Sequence, residues 1–121
     1  MIEHLLAVAE LLDRSAFRFA SEAALQAGIG QVLAAAGIPH RREVQVGPAG
    51  RLDFLTDEGL AIEVKVDGTA PALARQVLRY AQRPEVHAVL IVTTRAKHHE
   101  VPPEAFGGKP GRVHFLLRSA L

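Results

Sequence analysis

The chain has 121 residues, 49% hydrophobic and 22% charged, enough for one ordinary domain with its own core and too apolar for a disordered tail. It has no cysteine, which excludes a disulfide framework, thiolate zinc sites and a cysteine nucleophile. The formal charge of +1 divides unevenly: residues 1–74 carry six Lys/Arg against ten Asp/Glu, and residues 75–121 eight against three. Such asymmetry fits a polyanion partner, an internal cation site or two differently solvated surfaces.

No apolar run reaches the roughly 18 residues of a membrane span, so no membrane partner is expected. The start, Met1-Ile2-Glu3-His4, lacks the basic and apolar stretches of a secretory signal, and a cytoplasmic location is expected. Ile2, Leu5, Leu6, Ala9 and Leu12 recur at helical spacing and predict an amphipathic helix over 2–13. Its stripe needs a cover, either its own domain or a second copy, and a homodimer is expected. A second helix runs from an N-cap at Ser21 to about Gly37, with Leu25, Ile29, Val32, Leu33 and Ala36 inward and a middle softened by Gly28 and Gly30.

From Arg42 the period changes to two. Strands are expected through Val44 and Val46, over Arg51–Thr56 and over Leu60–Val66, with turns at Gly47–Gly50 and Asp57-Glu58-Gly59. Thr69 caps a third helix that runs to about Gln82. Ala88–Val92 reads as a strand covered on both faces, and Val113–Leu117 as a last strand. Helix, helix, three strands, helix, strand, strand makes an α/β sandwich with a mixed sheet.

Asp57-Glu58-Gly59 fits a three-residue hairpin loop that pairs Thr56 with Leu60. Counting back, Phe54 faces Ile62 and Leu52 faces Val64 on an apolar side, while Asp53 lies opposite Glu63 on an ionisable side with Lys65. Two facing carboxylates, with Cβ atoms about 4.5–5.5 Å apart, repel each other. A bridging divalent cation would remove the conflict, and hard oxygen ligands select Mg²⁺ or Mn²⁺. A solvated strand face with a local Glu63–Lys65 pair is the plainer alternative.

Glu22 shares a helical face with Leu25 and Ile29, or simply favours a helix N-terminus. Gln76 and Tyr80 share a face of the third helix, and Arg75, Arg79 and Arg83 form a basic stripe that is either a phosphate contact or an ordinary solvated face. His98-His99-Glu100 has no metal-ligand spacing and is expected to be solvated. Gly107-Gly108-Lys109 lacks the context of a phosphate-binding loop.

Glu22, Arg51-Leu52-Asp53-Phe54, Ala61-Ile62-Glu63-Val64-Lys65-Val66 and Gln76-x-x-x-Tyr80, in that order, resemble the PD-(D/E)xK nuclease superfamily. The likeness is to its compact form, shared by Holliday-junction resolvases and many phage and RecB-type nuclease domains, and runs from about Ser21 to Thr94. The residue before the motif aspartate is Leu52 rather than proline. The resemblance implies a restriction-endonuclease-like αβββαβ core over 21–94, with a helical extension over 1–20, a basic loop and strand over 95–121, and a phage source left open. It implies that Asp53, Glu63 and the main-chain carbonyl of Val64 bind Mg²⁺, for which Mn²⁺ substitutes. Glu22 would hold the metal or its water, and Lys65 would be the catalytic lysine. Gln76 and Tyr80 would line the site, with Arg75 and Arg79 on the substrate. The expected activity is hydrolysis of nucleic acid, DNA foremost, with little sequence specificity; a non-catalytic nucleic-acid-binding or assembly subunit is the alternative.

Overall fold

The structure, a computed structural model, describes residues 1–17 and 19–116. Apolar residues at helical spacing wind Ile2–Asp13 into helix α1 and Glu22–Ala35 into α2. The Ser21 hydroxyl accepts the Ala24 N–H at 3.1 Å and caps α2. Strands β1 (His40–Gln45), β2 (Arg51–Thr56) and β3 (Leu60–Lys65) follow, then α3 (Ala70–Ala81), β4 (Ala88–Thr93) and β5 (Gly111–Phe115). Thr69 caps α3 by accepting the Ala72 N–H at 3.2 Å, and Pro71 sits in the first turn, where its missing N–H has no helical partner to lose. Short 3₁₀ turns occupy Gly47–Ala49, Ala96–Glu100 and Pro103–Phe106.

The five strands form one sheet in the order β1-β2-β3-β4-β5. Short turns make β1, β2 and β3 antiparallel neighbours. Helix α3 carries the chain back across the sheet, so β4 runs parallel to β3, and the connection over 94–110 does the same for β5. The molecule is α/β, with a mixed sheet flanked by helices. The last strand starts at Gly111 rather than Val113, because glycine lets it cross Phe106; a Cβ there would collide with the ring. Its expected end, Leu117, lies outside the described residues.

The sheet separates two cores. On one side α1 and α2 press Leu5, Val8, Leu12, Leu25, Ile29 and Leu33 onto Phe54, Ile62, Val64, Leu90 and Val92. On the other, α3 sets Leu73, Val77 and Tyr80 against Leu55, Ala61, Val89 and Ile91. Every residue of β4 is buried, as its unbroken apolar run requires. The stripe of α1 is covered within the chain: Leu5, Val8, Ala9 and Leu12 are buried, which leaves Ile2 and Leu6 exposed for any second copy. Among the described residues no helix is long and apolar enough to cross a membrane.

Candidate functional site

The hairpin between β2 and β3 forms as its loop chemistry dictates. The Gly59 N–H donates to the Thr56 carbonyl at 2.9 Å, and Gly59 takes φ +94°, closing a type I turn with a bulge. Phe54 pairs with Ile62 and Leu55 with Ala61, so Asp53 and Glu63 are the next facing pair. At that pair side chains take over from the ladder. The Val64 N–H donates to Asp53 Oδ2 at 2.7 Å, and the Asp53 N–H donates to Glu63 Oε1 at 3.2 Å. Each carboxylate thereby satisfies a strand N–H that would otherwise seek a carbonyl.

A backbone irregularity also occurs in β1. Glu43, between the paired positions Arg42↔Phe54 and Val44↔Leu52, has φ +52°, the one positive value outside glycine among the described residues. Strict alternation fails here. Leu52 does not share a face with Phe54; it packs with Val44, Val46, Ala49 and Tyr80 in the core under α3. Nor is the ionisable side an open face. Helix α3 covers it, and Glu63 is 2% exposed, with Asp53 half-buried beside it.

Burial, and then the neighbouring Asp53 charge, push the Glu63 carboxyl well above the usual carboxylate range. Lys65 opposes this only weakly, with Nζ 4.0 Å from Glu63 Oε2. Full ionisation of the pair is therefore disfavoured unless a positive charge is bound beside it. A strand residue directs its N–H and C=O to the same neighbour. The Val64 carbonyl thus faces the gap into which its N–H meets Asp53.

Glu22 does not join the pair. Its Oε1 accepts the Val66 N–H at 3.2 Å, fastening α2 to the end of β3 one residue beyond Lys65. Among the described residues no three Asp, Glu, His or Cys side chains group as metal ligands. Gln76 and Tyr80 do act together. Gln76 Nε2 donates to the Tyr80 hydroxyl at 2.9 Å, and that hydroxyl donates to the Arg51 carbonyl at 2.8 Å, two residues from Asp53. Burial and the Glu63 charge raise the Tyr80 pKa to about 12, so it remains a neutral donor. Arg75 and Arg79 are exposed on α3, with no carboxylate partner among the described residues.

His98 overturns its expected place in a solvated loop. It is fully buried, and its Nε2 lies 2.9 Å from the Gly68 carbonyl. A carbonyl only accepts, so Nε2 carries the proton and Nδ1 accepts from the Thr93 hydroxyl. Thr93 Oγ1 in turn accepts the Arg95 N–H at 3.0 Å, and Arg95 Nε donates to the Val66 carbonyl at 2.8 Å. The segment after Lys65 is held on both sides. Adjacent histidines give no sign in sequence of which ring turns inward, and only the fold distinguishes His98 from His99.

The chain matches no family profile, no curated protein and no solved structure. Its site is therefore read from its own geometry.

Proposed function

We propose that the chain is a metal-dependent nuclease that hydrolyses phosphodiester bonds, DNA foremost, and that α2, β1, β2, β3, α3 and β4 are its restriction-endonuclease-like core. One observation carries the reading: two acids, one of them almost fully buried, face each other across adjacent strands with a lysine at 4.0 Å. Burying two mutually repelling carboxylates is unfavourable unless something positive is shared between them. Hard oxygen donors suit Mg²⁺, and Asp53, Glu63 and the Val64 carbonyl are the groups that would hold it.

Bound there, the ion would polarise a scissile phosphate and lower the pKa of an attacking water. Lys65 supplies a positive charge for the phosphate in the transition state or orients the water. Glu22 supports the Lys65 end of β3 by accepting the Val66 N–H. Gln76 and Tyr80 stay neutral and position the β2 backbone next to Asp53. Intracellular location and a phage source remain part of the proposal.

The test is a cleavage panel of single-stranded, duplex and branched DNA, with RNA counterparts, in Mg²⁺ or Mn²⁺. Metal-dependent cleavage that is lost in Asp53→Asn and in Lys65→Ala supports the reading. Binding without cleavage across the panel moves the chain to the non-catalytic subunit.

A further inference from the structure

A second feature lies at the C-terminal end of α3. Arg79, Gln82 and Arg83 form one wall of a cleft of about 280 Å³, and Pro48 and Ala49 of the first 3₁₀ turn form the other. The turn lies flat on the helix because of its glycines. Gly47, at φ +60°, rests against the Arg83 guanidinium, where a Cβ would stand 3.2 Å from Nη2. Gly50, at φ +106°, comes beside the Tyr80 hydroxyl, 3.8 Å from where its Cβ would be.

The cleft presents donors and no acid. Arg83 Nε is held by Glu85 Oε1 at 3.2 Å, which fixes the plane of the guanidinium and leaves the other nitrogens over Gly47. Arg79 has no carboxylate partner among the described residues. Two arginines and an amide on one wall supply the kind of donors that phosphate oxygens accept from. The bond from Tyr80 to the Arg51 carbonyl ties this wall to the strand that bears Asp53.

We propose that this cleft, at the C-terminal end of α3 and separate from the acid pair, binds a phosphate group of a nucleic-acid strand. The choice of nucleic acid rests on the nuclease reading; the anion binding itself requires no metal. The phosphate is either an internal phosphodiester or a terminal monoester, and the experiment separates the two.

Anisotropy titrations in EDTA use a labelled single-stranded oligonucleotide with and without a 5′-phosphate. They compare wild type with Arg79→Gln and with Pro48→Glu, which places an acid in the cleft at an exposed position. Melting curves establish that both variants fold. Affinity should fall roughly tenfold in each variant at low salt. The dependence of log affinity on log salt should become shallower by about 0.7 in Arg79→Gln, the share of one strand phosphate. Equal losses for both oligonucleotides assign an internal phosphate, and a loss confined to the phosphorylated one assigns a terminal monoester. Unchanged affinity and salt dependence in both variants, or no binding by wild type, overturns the cleft. Calorimetric Mn²⁺ titration separates the two readings: the cleft variants should keep wild-type Mn²⁺ affinity, whereas a failed nuclease reading shows as no Mn²⁺ binding while anion binding persists.

Discussion

Asp53 does two things that pull apart on substitution: it carries charge towards Glu63, and it accepts the Val64 N–H. Asp53→Asn keeps an acceptor oxygen for that N–H and removes the charge. Stability without metal should therefore be unchanged or rise by about 1 kcal/mol, while Mn²⁺ affinity falls more than about tenfold. Denaturant unfolding and calorimetry read the two effects separately; equal Mn²⁺ affinity in both proteins would sink the metal site. Lys65 divides the other way. It is 27% exposed and touches Glu63 only at 4.0 Å, so Lys65→Ala should cost about 0–1 kcal/mol of stability. Its cleavage rate should drop by about 10²–10³ with Mn²⁺ binding retained; wild-type turnover would contradict the assignment. His114 supplies the pH dependence. Its Nε2 is buried without a hydrogen bond, 3.6 Å from Asp13 Oδ1, with Glu10 and Arg112 lining the same cavity. Burial lowers its pKa more than Asp13 raises it, and Arg112 lowers it further. The folded state thus keeps His114 neutral where the unfolded chain takes up a proton near its ordinary value of 6.5. Its contribution is present above that pH and lost as pH falls through the lowered value. The urea midpoint of wild type should decline from pH 7.5 to 5, and less so in His114→Leu.

Helix α2 shows how packing decides what propensity leaves open. Gly28 and Gly30 weaken it equally by composition, yet they meet different neighbours. A Cβ at Gly28 would stand 3.2 Å from the Phe17 ring, whereas one at Gly30 meets the Phe54 ring at 3.5 Å, an ordinary contact. Gly30→Ala should therefore stabilise the protein by about 0.5–1 kcal/mol, and Gly28→Ala should gain less or lose. Thermal melts of the two variants check the order. The hairpin was legible for a related reason. Gly59 sets the loop, the loop sets the register, and the facing of Asp53 and Glu63 follows by counting. Leu52 was not legible, because alternation assumes an unbroken ladder and the two carboxylates interrupt it. Glu43, between the positions paired with Phe54 and Leu52, carries its positive φ one strand further across.

At the scale of the molecule, the class and the element order follow from periodicity, since apolar residues at spacing 3.6 or 2 must face a core. Which helix covers which side does not. The acid-bearing face looks like a wet surface in sequence because the residues that bury it, Leu73, Val77 and Tyr80, arrive from α3, after the hairpin is complete. The uneven charge also takes on a place: Arg75 and Arg79 stand on that covering helix and Arg83 just beyond its end, whereas the acid pair belongs to the earlier half. Contacts that join distant residues through one hydrogen bond leave no period at all, and His98 is the clearest case. Its ring joins Thr93, Gly68 and, through Thr93, the Arg95 N–H. The consequence concerns timing. Residues 67–69 are exposed, a stretch of the kind expected to fluctuate until a ligand settles it. Here the entropy of ordering is lost when the chain folds, so a ligand arriving beside Lys65 meets a strand end already set. The Arg95 amide should then exchange with solvent deuterium as slowly as the sheet amides, and in His98→Ala by fast local opening; rapid exchange in wild type would show the clasp to be loose.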